Sequence, residues 1–218
     1  MVLSFIVAVS VKPEVGGKPQ ARTRLARAAV VEAARELFAE RGYAATTMEA
    51  LSARASVPSA TMYRLFGSKI GVLKTMLDLA AVGDDEPVAF GDRPGAQAML
   101  ALEDPRELLD AFGEITPVTM SRLAPVNLIL TGAATTDPEA AELLAEHVRQ
   151  RQHGQGRIAA RLARLGALRE SVSQRRAADI IHALSSPEVY RLLTVDRGWS
   201  GRQFGDWLAE TLKQQLLA

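Results

Sequence analysis

"SVPSATMYRLFGSK", residues 56–69, decides how this chain is read. It opens on a break, Ser56-Val57-Pro58, because proline lacks an amide hydrogen and pushes its predecessor out of the helical region. The spacing beyond predicts a short helix from about Ser59 to Phe66. Met62 and Phe66 stand four apart and face inward, Leu65 flanks them, and Ala60, Thr61, Tyr63 and Arg64 point elsewhere. The segment is too short to be a domain and too polar on its outer side to be core. Something outside the protein reads that face.

Working outward, Ala26, Val30, Ala33, Ala34 and Leu37 fall at helical spacing, which predicts a first helix from about Arg22 to Arg41. Gly42 then suits a C-terminal cap. Thr46 and Glu49 have the spacing of a capping box that starts a second helix. On it Met48, Leu51, Ser52 and Ala55 form the stripe expected to be buried. Two short helices joined by a tight turn make a helix-turn-helix, whose second helix has the width of a DNA major groove. The charge agrees. Residues 21–75 carry nine Lys and Arg against four Glu, whereas residues 76–218 carry 15 basic against 20 acidic groups. A basic head on an acidic body implies that the head meets a polyanion.

From Val30 to Leu73 the sequence "VVEAARELFAERGYAATTMEALSARASVPSATMYRLFGSKIGVL" resembles the DNA-binding domain of TetR/AcrR transcriptional regulators. The resemblance rests on Ala33-Ala34, Phe38, Gly42, Thr46-Thr47, Leu51, Ala55, Val57, Thr61-Met62-Tyr63, Phe66 and Ser68-Lys69 in one unbroken register. It implies phosphate contacts from Thr47, Tyr63 and Lys69, with Thr46 a cap first and a phosphate contact second. It also implies that Ser59, Ala60, Thr61 and Arg64 face bases. Two positions depart from the family pattern. Ser56 stands where glycine is usual in the turn, and Ile70 where Glu usually follows the Lys. If the turn needs a positive φ, Ser56 carries a strain of order 1 kcal/mol.

The expected organisation is an arm and linker over 1–20, a helix-turn-helix domain over 21–67, and an all-α body over 68–218. Residues 68–82 read as a connecting helix covered on two faces. Further helices are expected to begin at Asp104-Pro105 and Asp137-Pro138, to run from Ser173 to Ser185, and to be capped by Ser186 and Ser200. Pro117 and Pro125 are expected to interrupt the region between the first two, and proline-broken helices pack with gaps. That places a ligand cavity among Met99, Phe112, Ile115, Met120, Leu123 and Leu130, with Thr116 and Asn127 as its polar groups. By the resemblance, the last two long helices form a two-fold dimer interface. Ile180, Ala183, Leu184, Trp207, Leu208 and Leu212 are assigned to core or interface.

The apolar start "MVLSFIVAVSV" has no basic residue before its hydrophobic part, so it reads as a loose or strand-like arm rather than a secretory signal. No run is long enough to cross a bilayer, and the absence of Cys fits a reducing cytoplasm. Asp84-Asp85-Glu86 reads as a solvated loop. No nucleophile elbow, phosphate-cradling glycine loop or zinc-protease motif occurs, and His147 and His153 do not share a helix face. No metal, cofactor or catalytic activity is therefore expected. The expected partners are a double-stranded operator, a second copy of the chain and a small-molecule effector that releases a repressor from DNA. The alternative is a helical protein-interaction module or small enzyme that leaves DNA alone. That alternative favours exposed Leu, Phe or Trp on the third helix, where this chain offers Thr, Tyr and Arg.

Overall fold

A computed structural model of the chain describes residues 18–83 and 90–218. The N-terminal arm and the Asp84-Asp85-Glu86 loop lie outside the described residues. The described residues form ten α-helices with no strand, joined near the C-terminus by an isolated antiparallel bridge between Leu168 and Leu217. The described residues are all-α, as composition and periodicity imply.

In the head, α1 (Lys18–Ala45) leaves helical geometry at Gly42, where φ is 78° and ψ 163°. Helix α2 (Met48–Ala55) and α3 (Ser59–Phe66) follow, and α3 has the bounds its spacing predicts. The α2 stripe is split by depth. Met48 and Leu51 are buried, whereas Ser52 and Ala55 are half-buried. The turn between them is held by Ser56 at φ 52°, ψ 36°, the left-handed region where glycine is favoured. The strain anticipated at Ser56 is therefore present. Met62 and Phe66 anchor α3 beside Leu37, Leu51 and Val57. Full burial of a Met or Leu of this kind is worth roughly 1.5–3 kcal/mol.

Helix α4 (Lys69–Val82) is capped by Ser68, whose Oγ accepts from the Gly71 amide at 3.3 Å. It buries Val72, Leu73, Met76, Leu77 and Ala80. These residues, the head residues above, and Met120, Leu123, Val126 and Leu130 make one continuous hydrophobic cluster. Head and body thus share a core through α4.

The body begins with α5 (Pro94–Ala101), which the sequence reading did not anticipate. Helix α6 (Pro105–Ala134) corrects another expectation, because it runs through Pro117 and Pro125 unbroken. Each proline removes one helical hydrogen bond, at about 3 kcal/mol. The burial of Leu108, Leu109, Met120, Leu123, Val126 and Leu130 along α6 outweighs both. Helix α7 (Pro138–Arg164) is continuous through "HGQG". Helix α8 (Gln174–Leu184) is capped by Ser173, and α9 (Pro187–Arg191), capped by Ser186, passes into a π turn over Leu192–Asp196. Ser200 and Gln203 form a complete capping box on α10 (Gly201–Leu216).

Helices α10 and α6 touch backbone to backbone. A Cβ placed on Gly205 lies 2.5 Å from the Gly113 carbonyl oxygen, and one on Gly113 lies 2.7 Å from the Gly205 oxygen. The Gly113 carbonyl is the one that Pro117, four residues on, cannot engage. The glycine-to-glycine approach puts α10 against the acceptor that the proline leaves free.

Candidate functional site

The helix-turn-helix is set one residue later than its capping pattern suggests. Thr47, not Thr46, is the N-cap of α2, and its Oγ1 accepts from the Ala50 amide at 3.1 Å. Thr46 is 1% exposed. Its hydroxyl lies 2.9 Å from the Gly42 carbonyl and 3.3 Å from that of Leu37, tying the end of α1 to the start of α2. Thr46 has no surface for a phosphate and is withdrawn from the contact set, and the box with Glu49 does not form. Two adjacent threonines leave the register of the cap open, and the buried carbonyls settle it.

On α3, Ser59, Ala60, Tyr63 and Arg64 are exposed and Thr61 is half-buried. Tyr63 is 48% exposed. Among the described residues no carboxylate pairs with Arg64. By contrast, Arg54 on α2 is held by Glu36 at 2.6 Å and Glu40 at 3.2 Å, and that contact keeps the Glu40 carboxyl below its ordinary value. The guanidinium of α2 is structural, while that of α3 is presented outward. Lys69 is half-buried. Its Nζ donates to the Tyr43 carbonyl at 2.8 Å and sits 4.2 Å from the Tyr43 ring centroid. It closes the C-terminal end of α1 as well as standing beside the outer face.

A half-open cavity of about 1440 Å³ lies where α1, α4, α6 and α7 meet. Of the eight residues expected to line it, Met99, Phe112, Ile115, Thr116, Met120 and Leu123 do so. Leu130 does not, being fully buried in the core shared by head and body. Asn127 does not either; it is buried and its Nδ2 donates to Glu188 at 3.0 Å. The reading missed Arg24, Leu25, Arg27 and Ala28 of α1, and the polar group His147, Arg151, Gln155 and Ser185. A signal for the latter was present. Positions 140, 144, 147, 151, 155, 158 and 162 step by three and four along α7, and the middle three interrupt an apolar stripe with His, Arg and Gln.

The polar group is organised around Gln155. Its Nε2 donates to Ser185 Oγ at 2.9 Å, and its Oε1 lies 2.6 Å from His182 Nδ1. Burial holds His182 below its ordinary pKa. Burial, and then the neighbouring Arg151, push His147 down to about 4, so the ring is neutral at pH 7. Burial also lowers the pKa of Arg151. No cluster of His, Cys, Asp or Glu among the described residues suits a metal ion.

Of the six residues assigned to core or interface, Leu208 and Leu212 are core. Both are fully buried within their own chain, together with Phe204 and Leu216. They have no surface to give a partner. Ala183 is exposed, and Ile180, Leu184 and Trp207 are half-buried. Trp207 stacks edge-on against Trp199 at 6.1 Å between centroids.

Residues 30–76 match the family model of bacterial regulatory proteins of the tetR family. No curated protein matches the chain. Among solved structures, the chain is similar to NalD of Pseudomonas aeruginosa, the secondary repressor of the MexAB-OprM multidrug efflux pump. Identity is 22% over 89% of this chain and 98% of that one, with a TM-score of 0.69. It is also similar to SmeT, the repressor of the Stenotrophomonas maltophilia multidrug efflux pump SmeDEF, at 20% identity over 88% and 90% with a TM-score of 0.63. MbdR from Azoarcus sp. CIB gives 17% over 88% and 100%, with a TM-score of 0.64. Likeness at this identity establishes the fold. No helix among the described residues is long and apolar enough to cross a membrane.

Proposed function

We infer, for a chain that belongs to the tetR family through its residues 30–76, a repressor that binds a palindromic operator as a homodimer and is released by a small molecule. The observation that carries the DNA contact is the outer face of α3, where Arg64 and Tyr63 stand exposed without an acidic partner on a head with nine basic and four acidic residues. In this reading α3 lies in the major groove. Ser59, Ala60, Thr61 and Arg64 meet base edges, and Thr47, Tyr63 and Lys69 meet the backbone. Two copies related by a two-fold axis place their α3 helices about 34–36 Å apart, one turn of DNA, or a near multiple of it. The half-buried faces of α8 and α10, with Ile180, Leu184 and Trp207, are the surface proposed for that axis.

Effector release has a physical route. Met120 and Leu123 belong to the core that α4 shares with the head, and both also line the cavity. The end of α4 is pinned to α6 by Arg122, whose Nε donates to the Ala80 carbonyl at 3.2 Å. An occupant that displaces Met120 or Leu123 moves α4, and α4 carries the head. SmeT, a repressor with this fold, has been solved in complex with triclosan, which supports a small-molecule occupant. The test is sequencing of the genomic fragments that the purified protein retains. The reading expects an enriched inverted repeat with two half-sites. Fragments without a shared repeat, retained through charge alone, contradict it.

A further inference from the structure

The cavity is not chemically uniform, and its polar end is built for one sign of charge. Arg151 and His147 stand four apart on α7, on the same face and one above the other. Among the described residues Arg151 Nε has no hydrogen-bond partner, and its guanidinium makes one long bond, to the Ser185 carbonyl at 3.4 Å. The carboxylate whose field reaches it, Glu188, is engaged by Asn127. His147 is 5% exposed, and its Nε2 is also without a partner among the described residues. Gln155 is engaged at both ends of its amide, by Ser185 and His182, and makes no hydrogen bond to either group. Of the acidic residues that line the cavity, Asp78 is paired with Lys74 at 2.7 Å, Glu146 with Arg149 at 2.7 Å, and Asp92 lies 3.9 Å from Arg157. A cation that cannot lose its proton therefore faces a cavity that also presents the apolar side chains of Met99, Phe112, Ile115 and Ile158, with Arg24, Arg27 and Arg157 among its further lining.

We propose that the effector is an amphipathic organic anion whose carboxylate or comparable acidic group pairs with Arg151 and accepts from the His147 Nε2–H, while its apolar body lies against Met99, Phe112 and Ile115. This deepens the reading of the cavity as an effector site and rests on it. Arg151 is half-buried and, among the described residues, makes no direct ion pair, Glu188 acting on it only at a distance, so an incoming carboxylate supplies the missing contact while its tail removes apolar surface from water. A neutral ligand gains the second effect alone. A cationic ligand adds repulsion to the first.

The experiment uses the full chain and two matched sets of probes: decanoate, 1-decanol and decylammonium, and naphthalene-2-carboxylate with 2-naphthalenemethanol. Calorimetry reads binding, and fluorescence anisotropy reads release from the recovered operator. At least one carboxylate is expected to bind roughly tenfold or more tightly than its alcohol, with decylammonium weakest. Arg151→Gln is expected to erase that advantage and to leave alcohol binding within about twofold. If Arg151→Gln does not fold, Arg151→Lys keeps the charge, loses the fork and lowers carboxylate affinity part of the way. Alcohols that bind as tightly as carboxylates overturn the proposal. So does an equal loss of both ligands in the variant, or failure of both carboxylates to bind at millimolar concentration. The two readings fail separately. A carboxylate that binds through Arg151 but leaves operator affinity unchanged overturns effector release and leaves the anion site. Release by the alcohols or decylammonium, with none by the carboxylates, overturns the anion and leaves the release.

Discussion

Gly205→Ala tests the packing that orients the last helix. The new Cβ starts 2.5 Å from the Gly113 oxygen and 3.3 Å from Pro117 Cγ, both on α6. A carbon and a carbonyl oxygen rest at about 3.3–3.6 Å, so the two backbones must part by roughly 1 Å at their crossing. No rotamer change relieves a backbone clash. Parting loosens Phe204, Leu208 and Leu212 against the core they share with Leu108 and Leu109. Overpacking of this kind costs about 1–3 kcal/mol, and lost dispersion contacts add to it. Alanine returns up to about 1 kcal/mol in helix propensity, which leaves a net loss near 2 kcal/mol. Urea unfolding at fixed protein concentration should show a lower midpoint with unchanged slope, and heating should show a fall of about 4–8 °C. The control is Gly132→Ala, on the exposed side of α6, where a Cβ meets nothing within 4 Å. It should gain up to about 1 kcal/mol. A Gly205→Ala protein as stable as Gly132→Ala refutes the close approach of α6 and α10.

Gly71→Ala puts a Cβ 1.9 Å from the Phe66 carbonyl oxygen, and should destabilise the head by about 3 kcal/mol in urea and weaken DNA binding with it. Ser56→Gly relieves a left-handed φ of 52° and should raise stability by about 0.5–1 kcal/mol by the same assay. His147 has its folded pKa pushed down to about 4 from an ordinary 6.5. The unfolded chain therefore takes up the proton first, and stability present above pH 6.5 is lost as pH falls towards 4. Melting at pH 7 and pH 5 should show His147→Gln losing about 1–3 kcal/mol less than the parent over that interval.

The head was legible where one physical requirement dominates. Met62 and Phe66 sit at an inward spacing on a helix bounded by Pro58 and Gly67, and α3 appears there with both buried. The strain at Ser56 was legible only through the family resemblance, which puts glycine in that turn, and it depended on the turn having the positive φ of 52° that the residue adopts. Where two residues satisfy the same rule, the sequence cannot choose, and Thr46 and Thr47 are such a pair. The prolines misled because local propensity forbids them, while the burial that overrides it lies on α4, α7 and α10, remote in sequence. Leu208 and Leu212 could not be divided from interface residues, because an inward stripe looks alike whether its own chain or a partner covers it. The polar cavity wall left one trace, the interruption of the apolar stripe on α7 at 147, 151 and 155. Charged and amide groups on α7 read as solvent-facing until the fold turns 147, 151 and 155 inward.

The central claim is that α3 reads base sequence, and Arg64→Ala tests it most directly. Parent and variant are titrated by anisotropy against the recovered operator and a scrambled duplex across a salt series. The parent should prefer the operator by roughly a thousandfold or more. Arg64→Ala should lose about 1–3 kcal/mol on the operator per half-site, with little change on scrambled DNA. Lys69→Ala should weaken both duplexes alike and flatten the log K against log salt slope by about one unit per half-site. Equal affinity of the parent for both duplexes, or an equal loss on both from Arg64→Ala, contradicts the account.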